Sequence, residues 1–170
     1  MASNASIYQE IQGRSERYSA LEKGLASMLE GEHDPVLIMS TVACELHHAF
    51  EYFDWTGFYR VVEPELLAVG PYQGGHGCLY IPFDRGVCGA SARTRSTQWV
   101  RNVHERNDHI ACSSTTMSEV VLPIVQSATN ELVAVLDIDS DREDIFQETD
   151  IRGLEAIADL VGRLWGIPGS

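Results

Sequence analysis

Cys112 ends the short apolar run of HIACSSTTMSEVVLPI, residues 109 to 124, and a hydroxyl-rich stretch separates it from Glu119. Three chemistries fit a cysteine in that setting: a small buried hydrophobe, a metal ligand, or a nucleophile. Cys44 sits within an apolar stripe of helical period and is expected to pack as a small hydrophobe. Cys78 follows the run Gly74-Gly75-His76-Gly77, and Cys88 opens a short predicted helix. Loop and helix-initial positions suit reactive thiols, because exposure permits attack and a helix N-terminus lowers a thiol pKa. His76, Cys78, His104, His109 and Cys112 offer metal donors, yet none of these pairs has the tight Cys-x-x-Cys or His-x-x-x-His spacing of structural zinc. No metal is therefore expected.

Acids come next. In Val133-Ala134-Val135-Leu136-Asp137-Ile138-Asp139, strand alternation places Val133, Val135, Asp137 and Asp139 on one face, with the two carboxylates about 7 Å apart along the chain. Asp139 alone fits equally well a strand running out into solvent. Asp137 is flanked by Leu136 and Ile138, and a carboxylate near a sheet interior must find donors, a cation or a proton. Glu119 opens a neighbouring predicted strand and could reach the same patch, although a solvated strand end is the commoner fate of a glutamate. Trp55 and Tyr59 share a strand face with Gly57 between them. Such aromatics are most often core, but the small Gly57 leaves space for a ligand to enter between the rings.

These side chains need elements to hold them. Tyr8 to Leu29 carries apolar residues at helical spacing, with Gly31 as a stop; Asp34-Pro35 caps a second helix that should end near Phe53. From Trp55 the period changes to two, and a break at Glu63-Pro64 leads to a return strand from Leu66 to Tyr72. Short strands are expected at 79–81 and 97–100, around a helix over 87–93. Strands over 120–124 and 132–138 meet at a turn at Thr129-Asn130, and an amphipathic helix from Ile151 to Trp165 closes the chain. Helices at both ends of a mainly antiparallel sheet make an α+β domain. The polar stretch from Asn102 to Ser118 is a long loop, a length that compact domains usually reserve for function. It carries Cys112.

The 170 residues suffice for one domain, residues 1–170, read as an N-terminal helix over 1–31 and a core over 32–166. No apolar run is long enough for a membrane span, and the polar N-terminus does not read as a secretory signal, so a cytoplasmic protein is expected. A formal charge of -13 disfavours nucleic acid as a partner. In a cytosolic chain the four cysteines are more consistent with a transient disulfide than a structural one.

Several segments together resemble the free methionine-(R)-sulfoxide reductases, a family of GAF-fold domains. They are DWTGFY (54 to 59), GPYQG (70 to 74), RGVCGASA (85 to 92), HIAC (109 to 112), SEVVLPI (118 to 124) and VLDIDSD (135 to 141). The spacing of Cys78, Cys88 and Cys112 agrees as well. The resemblance implies a six-stranded antiparallel sheet flanked by N- and C-terminal helices, a homodimer, and a closed pocket for a free amino acid. It also implies reduction of the R epimer of free methionine sulfoxide, with no bound cofactor and an external thioredoxin-like protein as reductant. Position by position, Cys112 matches the attacking cysteine, and Cys78 and Cys88 match cysteines that resolve it, with Cys78 favoured. Glu119, Asp137 and Asp139 match the pocket acids, and Trp55 and Tyr59 its aromatic wall. The chain departs from the family pattern at Ser113, where an aspartate is usual, and in the run Gly75-His76-Gly77, which suggests a more flexible loop.

The chemistry can be argued on its own terms. A thiolate attacks the sulfoxide sulfur, the oxygen must gain protons, and a carboxylic acid within reach would lower that barrier. Nearby carboxylates should raise the thiol pKa, so at least one acid is expected to share a proton when substrate binds. A small-ligand GAF sensor is the competing reading, but a phosphate-bearing ligand would meet acidic side chains, and one fold hosts both functions. A redox-sensing interaction protein would keep the cysteines without needing the three acids.

Overall fold

The computed structural model describes residues 5–105 and 114–166. His109, Cys112 and Ser113 lie outside them. Chain order is α1 (Ala5–Gln9), α2 (Arg14–Met28), α3 (Pro35–Ala49), β1 (Trp55–Glu63), β2 (Leu66–Gln73), β3 (Tyr80–Pro82), α4 (Gly86–Thr94), β4 (Gln98–Val100), β5 (Ser118–Gln126), β6 (Glu131–Ser140) and α5 (Glu148–Leu164), with a single 3-10 turn at Val103–Glu105.

The helix expected over 1–31 is divided. Gly13 takes a left-handed backbone (φ 88°), which separates α1 from α2 and which L residues with side chains rarely adopt. Arg17 secures the break, its guanidinium donating to the carbonyls of Gln9, Ile11 and Ala49. At α3, Asp34 Oδ1 accepts from Val36 N at 2.8 Å, and Pro35 occupies the first turn, where its missing N–H costs nothing. That helix stops at Ala49, short of Phe53, because Phe50 turns extended and packs its ring on Tyr18 and Phe53.

The strands form one antiparallel sheet in the order β3-β2-β1-β6-β5-β4. Its two faces have different work. Phe58, Val120, Leu122, Ala134, Leu136 and Ile138 point towards α2, α3 and α5 and build the larger core. Tyr59, Leu67, Ile81, Val121 and Val135 point the other way, where α4 lies over them. Asp150 fastens the larger core to its ends. This fully buried carboxylate accepts from Tyr18 Oη (3.0 Å), Tyr52 Oη (2.6 Å) and Gln147 N (2.7 Å), and pairs with Arg14 at 2.5 Å. Among the described residues no helix is long and apolar enough to cross a membrane.

Candidate active site

The α4 face of the sheet carries the site. Register puts Trp55 opposite Asp139 and Gly57 opposite Asp137 on β1 and β6, and Glu119 opposite Asp139 on β5. Antiparallel partners project to the same side, so the period-two reading of β1 and β6 places these five residues together. α4 lowers Cys88, in its first turn, onto the same patch. The ligand atoms of Cys88, Glu119 and Asp137 all fall within 4.8 Å of one another. Sequence spacing did not suggest this trio as a metal set. Its donors, one sulfur and two carboxylates, are of types that a zinc ion accepts.

Burial governs the electrostatics. Asp137 is 6% exposed, and one of its oxygens, Oδ1, has no hydrogen-bond partner among the described residues. Desolvation pushes its pKa up to about 7, against the opposing pull of hydrogen bonds from the Cys88 and Glu119 side chains and the Ile138 backbone. Asp139 is also raised, by burial first and then by the charges of Asp137, Asp141 and Asp54. Burial thus holds both acids above the ordinary carboxylate range.

Cys88 differs from its expected setting. It is 3% exposed, and burial together with Asp137 and Glu119 raises its thiol well above the ordinary cysteine value. Its place in the first turn of α4 does not lower the pKa, because desolvation and two acids outweigh the helix dipole. Cys78, by contrast, is half-buried and held in a disulfide, while Cys44 and Cys88 are free thiols.

The aromatic wall is larger than expected. Trp55 stacks on Tyr59 with centroids 5.7 Å apart and on Tyr72 at 5.3 Å. The space foreseen between the rings at Gly57 is taken: a Cβ there would lie 2.6 Å from the Trp55 ring and closer still to Tyr72 Cβ. Gly57 thus admits the stack itself. Trp55 Nε1 donates to Gly75 O at 2.8 Å, so the run Gly75-His76-Gly77 is tied down at one point.

Beside the wall opens a cavity of about 510 Å³ lined by Asp54, Trp55, His76, Thr115, Asp139 and Asp141, among others. Asp54 was not singled out from the sequence. Its Oδ2 accepts from Asp141 N at 2.7 Å and its own N–H donates to Asp139 O at 2.9 Å, which fixes the end of β6 at the cavity rim. Its place at the head of DWTGFY, just before β1 and beside the strand end that carries Asp137 and Asp139, is the signal that points to it.

An antiparallel six-stranded sheet with such a pocket over one face defines a class, and the chain belongs to the GAF domain family, which matches residues 34–165. Within that class it is 33% identical to the free methionine-R-sulfoxide reductase of Escherichia coli, over 85% of this chain and 86% of that one. It is 35% identical to the Saccharomyces cerevisiae protein of the same name, over 79% and 77% respectively. The solved structure of free methionine-R-sulfoxide reductase from Neisseria meningitidis in complex with its substrate superposes with a TM-score of 0.86 at 33% identity, covering 92% of each chain.

Proposed function

We propose that this chain reduces free methionine-(R)-sulfoxide to methionine. The observation that carries the reading is a buried carboxylate with an unpartnered oxygen, poised to hold a proton near pH 7, beside a stacked aromatic wall. The similarity to reductases of that name, one of them solved with substrate, supports it.

In this reading the aromatic wall takes the thioether end of the substrate, and the acids take its ammonium group. Cys112 attacks the sulfoxide sulfur as a thiolate, and the oxygen takes its proton from the Asp137–Glu119 pair. Methionine leaves, the oxygen remains on Cys112 as a sulfenic acid, and the Cys78 thiol condenses with it, releasing water and forming a disulfide. A thioredoxin-like dithiol then restores both thiols by exchange. Cys88 serves in this scheme as a hydrogen-bond donor to Asp137, with resolution falling to Cys78. We place the protein in the cytoplasm as a homodimer of one GAF domain per chain, needing no bound cofactor.

One assay decides: loss of free methionine-(R)-sulfoxide with dithiothreitol, comparing the native chain with Cys112→Ser. Turnover of the R epimer by the native chain, abolished in the variant, is expected. No turnover by the reduced native chain would reject the reading.

A further inference from the structure

The Cys78 disulfide lies beside two side chains that the fold leaves in water. Leu79 is 69% exposed and Tyr80 64%, the two most exposed large apolar residues among those described. Chance floppiness does not account for them. Leu79 O accepts from Val69 N at 3.0 Å and Tyr80 pairs with Ala68 in the sheet, so both are presented on a fixed backbone. Leu79 directly follows Cys78 in the chain and Tyr80 comes one residue later. β3 is also an edge strand, with β2 as its neighbour in the sheet. The stack of Trp55, Tyr59 and Tyr72 lies on the sheet face rather than at this edge.

We propose that Leu79, Tyr80 and the outer edge of β3 form the docking surface for the protein dithiol that reduces the Cys78 disulfide. The occupant follows from the chemistry. A disulfide is opened only by a thiolate that reaches one of its sulfurs, and a protein reductant must therefore seat its own surface against the residues bordering Cys78. Here that border is apolar in a chain of formal charge -13, so contact with it favours a partner whose active-site rim is apolar. An extended segment of the partner can add hydrogen bonds to the β3 edge. The first reductant thiolate attacks the Cys78 sulfur, expels the other cysteine of the disulfide as a thiolate that takes up a proton, and forms a mixed disulfide with Cys78. The second reductant thiol then attacks its own neighbour, releases the Cys78 thiol and leaves the reductant oxidised. The two electrons and two protons come from the dithiol.

The proposal names the partner surface of the site proposed above, but its test needs no methionine sulfoxide. The oxidised chain is mixed with reduced thioredoxin, and the rate of disulfide reduction is followed by thiol release, alongside dithiothreitol as a reductant too small to need docking. Leu79→Ser with Tyr80→Ser should slow reduction by thioredoxin about tenfold and leave reduction by dithiothreitol within about twofold of native. Val36→Ser, at a 58% exposed apolar residue on α3 remote in sequence from the disulfide, should change neither rate. Equal thioredoxin rates in the native and double-variant chains overturn the proposal. So does a parallel loss with both reductants, which would mean that Leu79 and Tyr80 act on the disulfide itself. Sulfoxide turnover is measured separately, so failure of the reductase reading leaves this result standing or falling by its own rates.

Discussion

Replacing Asp137 by asparagine tests the electrostatics of the site through stability. A carboxyl raised from its ordinary 3.8 to about 7 makes the folded state bind its proton more tightly than the unfolded chain does. Stability from this group is therefore fully present below about pH 4 and declines as pH rises through the interval up to about 7. Above that, ionised Asp137 costs the fold about 4 kcal/mol as an upper figure. Asparagine has nearly the same shape and no proton to lose. At pH 5 the unfolded aspartate is already ionised while the native carboxyl is largely protonated, so Asp137→Asn should be the more stable by about 1–2 kcal/mol. At pH 8.5 Asp137→Asn should be the more stable by about 2–4 kcal/mol, which raises the melting temperature by about 8 °C for a chain of this size. Thermal and urea unfolding of the reduced, substrate-free proteins at both pH values read this directly. Asp139 responds as well, because part of its raised pKa comes from the charge of Asp137, and losing that charge adds to the advantage of the variant at high pH. A native-to-variant difference that does not change between pH 5 and 8.5 would refute the reasoning, as would an asparagine variant less stable than native at the higher pH. The same variant should lose most reductase turnover, because it can no longer pass a proton to the leaving oxygen.

Cys88→Ala should retain methionine formation with dithiothreitol, while the alkaline limb of the pH–rate profile shifts, because Asp137 loses a hydrogen bond that favours its charged form. Gly57→Ala puts a methyl group into the Trp55–Tyr72 stack and should cost about 1–3 kcal/mol in urea unfolding while raising KM for the sulfoxide. Asp150→Ala strips the partners from Tyr18, Tyr52 and Arg14 and should destabilise by about 3 kcal/mol or more, measured in urea, with little change in KM where the protein still folds.

Much of this architecture could be read from period and punctuation. The two-residue period of β1 and β6 predicted the shared face of Trp55, Gly57 and Tyr59 and that of Asp137 and Asp139, because a strand allows only two faces and apolar neighbours identify them. Asp34-Pro35 announced α3 through capping chemistry. Other features depended on contacts that no local pattern encodes. Nothing around Gly13 marked it as a break within a run of helical spacing; Arg17 and its three carbonyl partners stabilise that break from different parts of the chain. Cys88 looked helix-initial and therefore reactive, and only the packing of α4 onto β5 and β6 turned that position into a buried one beside two acids. Tyr72 joined the aromatic wall through a β-bulge in the β1–β2 pairing, which shifts side-chain parity where simple alternation cannot follow it.

The division of the sheet into two faces also bears on how such a chain can change over generations. Along β1 and β6, Phe58, Leu136 and Ile138 pack against the helices, while Trp55, Gly57, Asp137 and Asp139 lie on the opposite, α4 face. One short strand thus serves two packing environments interleaved residue by residue. The odd-numbered positions belong to a core of their own, since Trp55, Tyr59 and Val135 pack with α4, so a change beside the acids is felt by buried neighbours as well as by any ligand.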